Sequence, residues 1–198
     1  MKFPFIVFEG VDGAGKSEIS AAVAKRMGAR HLESPTGKFK DMRNYIDETL
    51  CDKGRFLFYL ASNFDLSREI REHRESELSP IICARYFYST IIGYASKNNI
   101  DMDSICEKIP VSSIDLEAPD MTIFLDINKE AQRKRLESRD PNYISHMDFK
   151  VLNDESYQER LIANYARTCE SKGWLRIDTS TMDMEGVINV CIEKIGDR

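Results

Sequence analysis

Residues 10 to 17 read GVDGAGKS, the pattern G-x-x-x-x-G-K-[ST] that cradles phosphate groups. Gly10, Gly13 and Gly15 allow the tight turns that aim successive backbone N–H groups at phosphate oxygens. Lys16 would reach the β- and γ-phosphates of a nucleotide, and Ser17 would offer its hydroxyl to Mg²⁺. Ala14 and Glu18 complete the stretch expected to contact ATP. So short a string could be an incidental glycine turn, but its flanks argue otherwise. The apolar run FPFIVFE, Phe3 to Glu9, has strand length, and SEISAAVAKRM follows with Ile19, Ala22, Val23 and Met27 at helical spacing. That order sets the positive end of a helix against the bound anion. Asp12 is a carboxylate inside this anion-binding loop, and on its own it could merely fix a turn.

The elements that must hold such a loop alternate along the chain. Further strands are expected at Ala29 to Glu33, Pro80 to Ala84, Met121 to Asp126 and Trp174 to Asp178. Helical patterns run near 16–27, 38–50, 54–77, 87–97, 129–139 and 154–172. Alternation of this kind predicts an α/β fold, a parallel five-stranded sheet with helices on both faces in three layers. Ligands of such sheets sit beyond the carboxyl ends of the strands, so the loops after Glu9, Glu33, Ala84 and Asp126 should converge.

Composition narrows the partners. With 198 residues and no repeat or Pro/Gly linker, the chain reads as one domain, 1–198. A net charge of −5 gives no basic field for duplex nucleic acid, so a mononucleotide is the better expectation. Cys51, Cys83, Cys106, Cys169 and Cys191 are odd in number and widely spaced, which predicts buried thiols in a reducing compartment rather than disulfides or zinc ligands. No apolar stretch approaches membrane-spanning length. Together these point to the cytoplasm, with no membrane partner.

Four segments, in order, resemble one known family. FIVFEGVDGAGKSE is similar to the opening FEGxDGxGKST of the thymidylate kinases; ICARYFYST resembles their DRYxxSS segment; APDMTIFLDINKEAQRKRLESR resembles their APDLTIYLDVPPE strand and the arginine-bearing lid behind it; YQERLIANY resembles their helix FxxxVRxxYLxLA. The resemblance implies a P-loop NTPase-type fold, a phosphate loop at 10–17, a monophosphate-binding region near 34–78 and a lid near 133–150. It implies transfer of the γ-phosphate of MgATP to a pyrimidine nucleoside monophosphate, and a homodimer as in many relatives. A nucleoside kinase, with Glu33 as base, or a nucleotide-binding protein with little turnover are the other readings.

Phosphoryl transfer is mostly positioning and charge neutralisation, so cations are needed from several directions. Lys16 is one. Arg85, at a strand end, would grip the acceptor phosphate as a forked donor. Arg135 and Arg139, four apart on one helix face, would supply the lid cations, although from spacing alone they could be a solvated face. By resemblance Asp12 points at the sugar 3′-hydroxyl, and Arg43 and the 59–63 helix complete the acceptor site.

The departures from the family pattern bear on the substrate. Ala84 stands where the family has the aspartate of DRY; Glu9, Glu33 or water could compensate. The family's base-reading arginine falls at Asn63 and its stacking phenylalanine at Tyr59, although Tyr59 with Phe56 and Leu60 could simply be core. The tyrosine beneath the sugar falls at Gly93, with Tyr94 next door and Thr90 at the neighbouring polar position. These changes predict relaxed discrimination in favour of dTMP.

Overall fold

A computed structural model describes residues 3–76, 79–109, 116–138 and 151–197. Five strands form one sheet: β1 (Phe5–Glu9), β2 (Arg30–Glu33), β3 (Ile81–Ala84), β4 (Met121–Asp126) and β5 (Leu175–Asp178). All neighbours are parallel, in the order β2-β3-β1-β4-β5. The sequence reading of five parallel strands is thus met in place and type. Central β1 (FIVFE) and β3 (IICA) are buried at every residue, whereas the edge strands β2 and β5 expose part of theirs. Strands covered on both faces read as continuous apolar runs, which is why the central ones were plain in the sequence.

The helices among the described residues are α1 (Lys16–Met27), α2 (Gly37–Thr49), α3 (Asp52–Glu75), α4 (Phe87–Asn98), α5 (Met102–Lys108), α6 (Lys129–Glu137), α7 (Glu155–Lys172) and α8 (Met184–Gly196). Two of them, α5 and α8, have no counterpart in the sequence reading. Each starts on a capping aspartate: Asp101 accepts from Ser104 N and Asp183 from Gly186 N. The second of these caps opens a helix that buries Val187, Ile188 and Cys191 and packs on α1. An aspartate before an apolar-periodic run was the available signal.

Registry fixes where the chemistry sits. Phe8 is level with Ala84 on β3 and with Ile123 on β4, so Glu9, Arg85 and the phosphate loop emerge side by side at one end of the sheet. The expected convergence of loops occurs there. The switch in strand order on either side of β1 opens the crevice that ligands occupy in such sheets.

Candidate active site

The phosphate loop leaves β1 through Gly10, at φ 147°. A Cβ there would stand 2.4 Å from the Leu125 carbonyl oxygen of β4, so only glycine lets the loop lie this close to the neighbouring strand. Gly13 and Gly15 also have positive φ, and α1 begins at Lys16. Lys16 is 3% exposed; its Nζ donates to Val11 O at 2.6 Å and lies 3.7 Å from Asp12 Oδ1. The ammonium is thus held within the curve of the loop. Ser17 sits half-buried in the first helical turn beside exposed Glu18.

Two cavities flank this loop. One is walled by Asp12, by Ser34 and Pro35 after β2, by Arg43 of α2 and by Tyr59 of α3. Arg85 and α4 residues Ser89, Thr90, Gly93 and Tyr94 close its other side, with Tyr157 and Tyr165 of α7. Arg85 follows β3 in the left-handed region, φ 64°, a conformation that costs a non-glycine residue free energy and is often found at functional sites. The turn carries its guanidinium back to Asp12: Nη2 is 2.7 Å from Oδ1. Burial pushes the Asp12 carboxyl up, but Lys16 and Arg85 outweigh it and hold the group well below its usual range. Asp12 is therefore an anion flanked by two cations, at the boundary between loop and cavity.

Glu9 does something the sequence reading did not assign to it. Tyr86 is the N-cap of helix α4, but its side chain makes no capping bond. The Glu9 carboxylate takes that place: Oε1 accepts from Tyr86 N at 3.1 Å and from Ser89 N at 3.2 Å, and Oε2 accepts from Ser89 Oγ and, at 3.4 Å, from the Tyr165 hydroxyl. It is 1% exposed, and burial raises its pKa against the pull of Ser89, Tyr86 and Lys16. Glu9 is thereby committed to positioning α4, and Glu33 pairs with Lys40 at 3.6 Å outside the cavity wall.

Some expected acceptor contacts are brought together and one is not. Tyr59 lies on the wall with its hydroxyl on both oxygens of Asp47, 2.8 and 2.9 Å, and Arg43 Nε is 3.5 Å from the same carboxylate. Thr90 and Tyr94 line the cavity. Tyr94 stacks on Phe56, ring centroids 4.4 Å apart, and a Cβ added at Gly93 would meet nothing within 4 Å. Asn63, in contrast, is fully buried behind the wall: its Oδ1 accepts from Ser34 Oγ at 3.1 Å and its Nδ2 donates to Thr90 Oγ1 at 2.9 Å.

The second cavity, on the other side of the loop, is lined by Gly13, Gly15, Glu18, Arg135, Thr179 and Met184 among others. Arg135 donates to Gly13 O at 3.4 Å, to Thr179 Oγ1 at 3.2 Å and to Thr179 O. Its guanidinium lines this second cavity, whose lining does not include Asp12 or Arg85. Behind it, buried Gln132 donates to Asp12 O at 2.7 Å and accepts from Gln158 at 2.7 Å, fastening α6 and α7 to the loop. Thr179, Gln132 and Gln158 were missed, because a polar residue in a loop or a glutamine in a charged helix gives no periodic signal. Arg139, and most of the expected lid at 133–150, lie outside the described residues.

The comparisons agree with this geometry. Residues 8–188 match the family profile described as thymidylate kinase. A probable thymidylate kinase of Methanococcus maripaludis is 28% identical over 197 residues, covering 98% of this chain and 96% of the relative, and one of Methanocaldococcus jannaschii is 28% identical over 194 residues, covering 95% and 93%. Among solved structures, the thymidylate kinase of Candida albicans superposes with a TM-score of 0.78 at 20% identity, covering 99% of this chain and 92% of its own. The deoxyadenosine kinase of M. mycoides superposes at 0.70, also at 20% identity, covering 98% and 100%. A profile match spanning nearly the whole sequence, on a chain whose phosphate loop parts two cavities, places it in the thymidylate kinase family, whose members are nucleoside monophosphate kinases.

Proposed function

We propose that the enzyme passes the γ-phosphate of MgATP to a pyrimidine nucleoside monophosphate, with ATP on the Arg135 side of the loop and the acceptor on the Arg85 side. The observation that carries this reading is the pair of cavities on opposite sides of one phosphate loop, with Lys16, Asp12 and Arg85 between them. A phosphate oxygen of the acceptor attacks the γ-phosphorus, a new P–O bond forms, and the bond to the β,γ-bridging oxygen breaks to release ADP. No proton need move, so the protein's work is alignment and charge. Lys16 neutralises the moving group and Arg85 grips the acceptor phosphate. Asp12, kept ionised by its two cations, accepts from a sugar hydroxyl and sets the angle of the acceptor. Arg139 would add a lid cation.

Mg²⁺ fits the residues only as a passenger of the nucleotide. Among the described residues no cluster of three acidic, histidine or cysteine side chains could hold it, and Ala84 offers no oxygen from its side chain. Ser17 would hold it, together with ATP phosphates and water, as this ion prefers, and it would supply charge neutralisation between β- and γ-phosphates. No helix among the described residues is long and apolar enough to cross a membrane. Exposed Met42 and Tyr45 of α2 and Leu57 and Phe64 of α3 support the homodimer that the family resemblance suggests.

The test is a panel. The protein is incubated with MgATP and nucleosides or nucleoside monophosphates while ADP is followed. Diphosphate products are expected; monophosphates formed from nucleosides would favour the nucleoside kinase reading, and tight ATP binding without ADP release would leave a binding protein.

A further inference from the structure

Three successive carbonyl groups of the phosphate loop each accept from a fixed donor. Val11 O accepts from Ala14 N at 3.3 Å and from Lys16 Nζ at 2.6 Å. Asp12 O accepts from Gln132 Nε2 at 2.7 Å and Gly13 O from Arg135 Nη1 at 3.4 Å, both donors standing on α6. Gln132 is 0% exposed, and its Oε1 accepts in turn from Nε2 of Gln158 on α7, which is 5% exposed. The direction of this chain is set at its loop end. A backbone carbonyl can only accept, so Gln132 must turn its NH₂ to Asp12 and its oxygen to Gln158, and Gln158 must donate. Satisfying Asp12 O needs one amide; the second, buried at a desolvation cost, dictates which end the first presents.

What the two glutamines hold is the plane of one peptide. Val11 to Ala14 form a turn closed by the bond from Ala14 N to Val11 O; Asp12 does not have a positive φ, and Gly13 has φ 89°. That is the pattern of a type II turn. Turning the Asp12–Gly13 peptide over, through ψ of Asp12 and φ of Gly13, gives a type I turn with the same closing bond, and glycine is at ease in either. The loop's own sequence therefore leaves both orientations open. In the observed one the Asp12 carbonyl points to α6, and since the C=O and N–H of a trans peptide point in opposite directions, the Gly13 N–H points away from α6. That N–H has no hydrogen-bond partner among the described residues. In the flipped form the Asp12 oxygen would stand in its place and face an anion with negative charge. Neither glutamine lines either cavity, so whatever they do for a ligand they do through the loop.

We propose that Gln132, braced by Gln158, is a positioning residue for phosphoryl transfer: it holds the Asp12–Gly13 peptide in the orientation that presents the Gly13 N–H to the phosphates of ATP. A donor fixed in advance meets the charge that grows as the bond to the γ-phosphorus breaks, with no reorientation at the moment of reaction. The inference rests on the kinase reading, with ATP on the loop, and adds two residues outside both cavities that make the loop competent.

The test uses Gln132→Met, which keeps the reach of the side chain and removes its donor, and Gln158→Met, which leaves that donor and releases its other end. Steady-state kcat and KM for ATP and dTMP are measured with a thermal melt. Proteins labelled with ¹⁵N-glycine are observed by NMR with and without Mg²⁺ and a non-hydrolysable ATP analogue, the Gly13 amide being assigned by its absence from Gly13→Ala. Gln132→Met should lower kcat about tenfold or more and Gln158→Met a few-fold, each with a smaller change in KM for dTMP. In wild type the Gly13 amide proton should move downfield when the analogue binds, and in Gln132→Met that shift should shrink to less than about half. The wild-type spectrum needs no variant to fold. A Gly13 amide that stays in place while other glycine resonances report binding would overturn the assignment and leave the kinase reading intact. So would a folded Gln132→Met protein with wild-type kcat and an undiminished shift, even if it melted lower, since the pair would then serve stability alone. If wild type phosphorylates no monophosphate, the kinase reading falls and the role in transfer with it.

Discussion

The phosphate loop and the cavity lined by Arg85 adjoin, yet they are built in opposite ways. The loop is one run of eight residues whose shape is set locally, by glycines at fixed offsets and a helix that starts at Lys16. The cavity is assembled from the ends of several distant elements: Ser34 after β2, Arg43 of α2, Tyr59 of α3, Arg85 after β3, Thr90 of α4, Tyr165 of α7. Asp12 belongs to both, since it is a loop residue bonded to Arg85 across 73 positions of sequence. A contiguous site tolerates little change but announces itself, whereas a distributed site can exchange its contacts one element at a time. The family resemblance places such exchanges at Asn63 and Gly93.

The comparison can be broken most sharply at Lys16. Lys16→Ala removes the cation that faces charge growing on the transferring group, so kcat should fall about a hundredfold or more with the fold retained. Near-normal turnover measured in steady state would mean that the loop does not hold the reacting phosphate. Next in size is Gly10→Ala, which forces a Cβ to 2.4 Å from Leu125 O at a φ that side chains avoid. A stability loss of about 1–3 kcal/mol by denaturant titration is expected, together with weaker ATP binding; an unchanged midpoint would show that the loop is not so tightly set against β4.

Substitutions on the two sides of the loop should separate the cavities. Arg85→Lys, which cannot reproduce the fork, should raise KM for the monophosphate severalfold and leave that for ATP alone. Arg135→Ala should do the reverse, because its guanidinium lines the cavity proposed for ATP. Both KM values moving together in either variant would dissolve the distinction. The smallest effect concerns acid. Asp12 titrates lower in the folded protein than its ordinary 3.8, so its stabilising contribution is complete above that pH and declines as pH falls below it. Asp12→Asn should flatten the acid limb of the stability curve below about pH 4, followed by thermal melting.

Much of the fold was legible because buried parallel strands are short apolar runs and the long helices are amphipathic; β1, β3 and β4 follow directly from FIVFE, IICA and MTIFLD. The helices α5 and α8 were not read, one being a single short element and the other following a polar loop, each marked only by its capping aspartate. Within the site, Lys16, Asp12 and Arg85 were legible since each sits in or beside a strand-ending motif. The capping role of Glu9 was not, because it depends on Tyr86 and Ser89 lying across the sheet end, 77 and 80 positions away. Nor could spacing along α3 tell that Asn63 would turn behind the cavity wall while Tyr59, one turn earlier, would face into it. That depends on the rotation of α3 against α4, which the pairing of Phe56 with Tyr94 fixes.

The most direct measurement of the central claim is phosphorus NMR of a reaction containing MgATP, dTMP and enzyme, observed to completion. Transfer between the two cavities should give ADP and dTDP in equal amounts, with loss of the dTMP resonance and no inorganic phosphate beyond the enzyme-free control. Release of inorganic phosphate with dTMP intact, or no consumption of ATP with any pyrimidine monophosphate, would contradict it.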